Sequence, residues 1–150
     1  MNLPTRASAL MGIGLLLSAA APAASAAVVE VAVTGVVQAR GHISVDLCTR
    51  DTFLKPSCPY HGSAPAKPGA TVVTIADVPP GQYAAQVFHD VDDDGQVHRN
   101  LLGIPTEPIG FSNDAPIHLR GPRFKEAAFA VEHGVQHITL KLRDLLRGVL

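Results

Sequence analysis

The chain has 150 residues, with 12 basic and 13 acidic side chains, a formal net charge of −1, two cysteines and no tryptophan. Neither charge sign dominates, and aromatic residues make up only 5%, which excludes the basic, stacking surface that nucleic-acid binding needs. The length is that of one domain able to bury a core of its own.

Residues 1–26 read as an export leader. A short polar start carrying Arg6 precedes an apolar run from Ala7 to Ala21, and Ala24-Ser25-Ala26 supplies the small residues of a cleavage site. The run is too short, and too rich in Ala and Gly, for a membrane span of about 20 residues. Cleavage before Ala27 takes 26 residues from the 150 and leaves a single domain of 124, residues 27–150. Without Arg6 that domain holds 11 basic and 13 acidic side chains, a net charge of −2. No second apolar span follows, so the expected product is periplasmic or secreted, with no membrane span once the leader is gone. An oxidising compartment favours a Cys48–Cys58 disulfide, and the spacing of the two does not fit a C-x-x-C redox or zinc motif.

Alternation of apolar and polar residues then predicts strands. Val29, Val31 and Val33 share one face from Val28 to Val37, with Gly35 marking a bulge. Ile43, Val45 and Leu47 alternate with His42, Ser44 and Asp46, and the turn at Gly41 suggests a meander between these two strands. Thr49 to Ala70 is proline-rich and reads as an irregular excursion that holds no regular ladder. Thr71 to Ile75 is a short apolar strand. Asp77-Val78-Pro79-Pro80-Gly81 reads as a type II hairpin corner, with Gly81 at the position of positive φ. Tyr83 to Phe88 is apolar on both faces, as a central strand is, and it delivers His89 and Asp90 at its exit. Phe124 to Val131 alternates partly. His137 to Leu142 forms the last strand, with Ile138, Leu140 and Leu142 inward. Short strands punctuated by turns, without helical periodicity, predict an all-β sandwich.

The chemistry is concentrated after the central strand. Asp90, Asp92 and Asp94 alternate and are followed by Gly95, so three carboxylates can converge on one hard cation while the glycine permits the sharp turn. Gln96 would offer a backbone carbonyl and His98 a water-mediated contact. Leu101 stands where an EF-hand closes with glutamate, and a strand enters the loop where that motif needs a helix. Asn100, Glu107 and Asn113 are the candidates for the closing oxygen of a calcium-type loop on a β scaffold. The candidate metal set is Asp90, Asp92, Asp94, Gln96, His98 and Glu107, with Asp93 turned outward. A solvated acidic turn whose aspartates cap their own backbone is the simpler alternative. His89 beside the aspartates suggests a transition-metal site instead. Nucleophilic catalysis has no foothold: there is no G-x-S-x-G elbow, and Ser112 reads as a turn residue. Leu102-Gly103-Ile104-Pro105 and Pro108-Ile109-Gly110-Phe111 read as a loop pinned over one end of the sandwich by its apolar side chains.

The segments VPPGQYA, VFHDVDDDG, LLGIPTEPIGFSN, RFKEAAFAV and ITLKL together resemble the exported bacterial proteins of the domain of unknown function 2141 family. His89, Asp90, Asp92, Asp94, Gly95, Gly103, Pro105, Glu107, Gly110, Phe111, Ser112 and Asn113 match that family's HD…DG…GIPxEPxGFSN core. This chain departs from it in carrying Asp where family members often carry Asn. The resemblance implies a prealbumin-like or immunoglobulin-like sandwich of about seven strands, and it assigns no reaction. The expectation from the sequence is thus an exported, non-enzymatic module whose calcium-type loop orders a binding surface for an envelope protein or glycan. A transition-metal-assisted hydrolase using His89, and a purely structural domain without an ion, are its rivals.

Overall fold

A computed structural model describes residues 25–147. The expected leader lies outside them except for Ser25 and Ala26, which are exposed and precede the first strand. The described residues are all-β, with eight strands: β1 (Ala27–Val36), β2 (His42–Cys48), β3 (Tyr60–Pro65), β4 (Gly69–Val78), β5 (Gly81–Asp90), β6 (Ile109–Phe111), β7 (Ala128–Val131) and β8 (Val135–Lys141). One sheet has the order β4-β1-β8. The other runs β3-β2-β5-β6, with β7 also paired to β5. Among the described residues no helix is long and apolar enough to cross a membrane.

The valine alternation of β1 does what its period implies: Val29, Val31 and Val33 are fully buried, each contributing on the order of 1.5–3 kcal/mol by transfer from water. They pack between the sheets against Ile43, Val45 and Leu47 of β2, Tyr83, Ala85 and Val87 of β5, and Leu140 of β8. Gly35 sits at a register shift between Thr34 and Val36 with φ +78°, as the bulge reading expects. The meander does not form. β1 and β2 lie in different sheets, and β1 pairs with β4 antiparallel and with β8 in parallel.

Three other expectations are corrected. The proline-rich excursion contains β3, which pairs along β2 from Leu47↔Tyr60 to His42↔Pro65. Its ladder survives because Pro65 falls at the end of the strand, where a missing donor costs least. Pro79-Pro80-Gly81 is no hairpin corner, since it carries the chain from one sheet to the other. The positive φ belongs to Asp77, at 57°, and Gly81 is absent from the left-handed region. Gly81 instead admits the Tyr83 ring, which would stand 3.2 Å from a β-carbon there, while the Tyr83 hydroxyl donates to the Pro79 carbonyl at 3.0 Å. Phe124 to Val131 likewise divides into one helical turn, α1 (Phe124–Ala127), and β7.

A second apolar cluster covers the outer face of the five-stranded sheet. Phe53, Phe111 and Phe124 meet edge to face at 5.8–5.9 Å, around Cys48, Ala84 and Ala127. The Cys48–Cys58 disulfide is present and ties the excursion to this cluster. β6 joins the two sheets: it pairs with β5, and Ile109 exchanges backbone hydrogen bonds with Arg143, just past β8. Gly110 makes this possible, because a β-carbon there would lie 2.5 Å from the Lys141 carbonyl oxygen.

Candidate cation site

β5, held between β2 on one edge and β6 with β7 on the other, carries the acidic loop at its end. His42 of β2 pairs with Asp90. Gly41, at φ +72°, lets the entry to β2 pass so close that a β-carbon would stand 1.9 Å from the Asp90 carbonyl oxygen. The site therefore begins on rigid backbone.

Asp90 is 5% exposed. Its Oδ1 accepts the Asp94 amide at 3.2 Å and its Oδ2 the Gly95 amide at 2.9 Å, so it organises the loop that follows. Glu107 is 7% exposed and arrives on the returning segment, which the Thr106 amide fastens to the His98 carbonyl at 2.9 Å. Its two oxygens accept the amides of Val91 at 3.1 Å and His98 at 3.4 Å. Asp92, exposed, brings a carboxylate oxygen to both, and the ligand atoms of Asp90, Asp92 and Glu107 lie within 4.8 Å of one another. Each of the two buried carboxylates accepts two backbone amides, which fixes its oxygens beside Asp92.

The sequence predicts Asp90, Asp92 and Asp94 around one point. The structure instead divides them between two groups that share Asp92: Asp90–Asp92–Glu107, and an exposed Asp92–Asp94–His98. The cause is local. Because Asp90 holds the Asp94 amide, the loop turns back over it and the Asp94 side chain meets His98, with Oδ2 to Nε2 at 2.8 Å. Asp92 Oδ2 lies 3.6 Å from the same nitrogen. The hydrogen bond His98 gives to Asp94, then the Asp94 charge, raises the His98 pKa above the ordinary 6.5. Either group could hold a metal ion.

The remaining candidates are placed as follows. Gln96 is exposed and gives its amide to Asp94 Oδ1 at 2.9 Å. His89 is 2% exposed, joins neither acidic group, and has Nε2 2.7 Å from the Arg40 carbonyl oxygen. Asn100 caps its own turn, its Oδ1 accepting the amides of Leu102 and Ile104. Asn113 donates to the carbonyls of Glu126 and Ala128. Ser112 is buried and bridges elements, accepting from the Ala85 amide at 2.9 Å and donating to the Ala127 carbonyl at 2.5 Å. Of the apolar side chains expected to pin the loop, Pro105, Ile109 and Phe111 are buried, whereas Leu102 is exposed and the tip is held by backbone bonds between Asn100 and Ile104.

His42 and Arg40 escape a reading by local motif. His42 Nδ1 stands 2.6 Å from Oδ1 of the outward-turned Asp93, a contact visible only once β2 and β5 are in register. A cavity of about 740 Å³ adjoins the site, and Asp92, His98 and Glu107 line it together with Arg40 and Lys141.

A family model described as an uncharacterized protein conserved in bacteria (DUF2141) matches residues 31–139. Those bounds fall in β1 and β8, so the match spans the sandwich from its first strand to its last. No curated protein and no solved structure matches the chain.

Proposed function

The chain belongs to the DUF2141 family, and from that footing we propose that it is an exported, non-enzymatic module whose acidic loop binds calcium or a similar hard cation. The observation that carries this reading is the meeting of Asp92 with two buried carboxylates, Asp90 and Glu107, within 4.8 Å. Oxygen-only donors at the end of a rigid strand suit a hard cation better than a borderline one, and the adjoining cavity leaves room for its waters. The disulfide supports export, since such bonds persist in oxidising compartments. The cation would order the Asp92–Glu107 loop, and that ordered loop would be the surface offered to an envelope protein or glycan.

The hydrolase reading is weakened because His89 joins neither acidic group, whereas His98 keeps a borderline metal in contention at the exposed group. Thermal unfolding in calcium, zinc and chelator separates these readings. Calcium at about 100 times its Kd should raise Tm by roughly 8–10 °C, and chelator should reverse the shift. Zinc-selective stabilisation lost in His98→Gln would move the ion to the exposed group. A Tm indifferent to all three additions would leave the loop purely structural.

A further inference from the structure

Away from the acidic pair, the second apolar cluster is not fully covered. A groove of about 840 Å³ runs over it, within the roughly 300–1,000 Å³ range of small-ligand sites. Phe88, Ile109, Phe111 and Ile117 are among its apolar lining. Leu102 and Leu119, 82% and 103% exposed, stand at it as well. Three separate loops contribute to its lining, and each brings one cation: Lys55 after β2, Arg99 after β5 and Arg120 before α1.

Among the described residues none of these three cations forms an ion pair. The other titratable groups facing the groove are His118, paired with Glu126 at 3.2 Å, and Asp46. Asp46 receives a hydrogen bond from Gln86 at 3.2 Å and forms no ion pair with any of the three cations. The one carboxylate on the lining is thus poorly placed to neutralise three cations. Leucine side chains left in water beside unpaired positive charge describe the complement of a molecule with an apolar body and an anionic end.

We infer that this groove binds the single acyl chain of a long-chain carboxylate, with the chain on the phenylalanine–isoleucine floor and the carboxylate among Lys55, Arg99 and Arg120. None of Asp90, Asp92 or Glu107 lines the groove, but one of its walls, from Gly95 to Pro105, belongs to the loop between Asp92 and Glu107, so the titration is run on chelator-treated and on calcium-loaded protein. Calorimetric titration of the whole protein with laurate, below its micelle concentration, tests the inference against 1-dodecanol and against phosphatidylglycerol vesicles. One laurate per chain is expected, with 1-dodecanol about tenfold weaker. Lys55→Gln/Arg120→Gln should weaken laurate about tenfold at unchanged Tm, because both side chains are exposed and bond to nothing among the described residues. Absence of saturable laurate binding overturns the inference, as does equal affinity for laurate in the wild type and the variant. Binding to vesicles without binding to free laurate also overturns it, making the leucines a membrane-docking patch.

Discussion

His98 reports on the site one residue at a time. Its imidazole is paired with Asp94, so its folded-state pKa lies above the unfolded value near 6.5. The stabilisation from this pair is fully present below pH 6.5 and is lost as pH rises through the folded pKa. Titration of the histidine resonances should place His98 above 6.5, and Asp94→Asn should return it towards 6.5; an unmoved midpoint would contradict the pairing. The acidic residues of this loop were legible in the sequence because D-x-D-x-D-G is a local pattern. The division of labour among them was not, because it follows from which amides Asp90 accepts. Ser112 shows the same limit: its neighbours in sequence suggest a turn, while its partners, Ala85 and Ala127, are 27 and 15 residues away.

At the scale of elements, the segment between Cys48 and Cys58 depends on its cross-link more than on regular structure. The disulfide closes a loop ten residues long, and Cys48 is fully buried in the outer cluster beside Phe53. Cys48→Ala/Cys58→Ala should cost about 2–3 kcal/mol by the loop-closure argument, read from denaturant unfolding midpoints; an unchanged midpoint would show that Phe53 packing alone holds the segment. Periodicity gave the buried face of β1, β2, β5 and β8 from their own residues. It could not say which strand lies beside which, so β1 and β2 seemed neighbours although they occupy opposite sheets. β3 is hidden by the prolines around it and by Gly62, whose missing side chain lets it approach β4, with a β-carbon there only 2.9 Å from Ile75. Three-residue β6 is too short for any alternation, and its place is set by Gly110 and by the bonds between Ile109 and Arg143.

Across the whole molecule, the GIPTEPIGFSN segment acts as a clasp between the sheets. Glu107 closes the acidic loop, Gly110 admits Lys141, Ser112 and Asn113 bond to β5 and to the α1–β7 segment, and Asp114, next after the segment, bonds to β8. The candidate cation site thus sits where the central strand, the clasp and the entry to β2 converge, and ordering it would stiffen one end of the sandwich. Calcium titration by isothermal calorimetry of chelator-treated protein, with Asp92→Asn in parallel, tests this most directly. The prediction is one saturable site per chain with Kd of about 10⁻⁴ M or tighter, abolished or weakened at least about tenfold in Asp92→Asn. No saturable heat in the wild type at millimolar calcium, or equal binding by the variant, would contradict it.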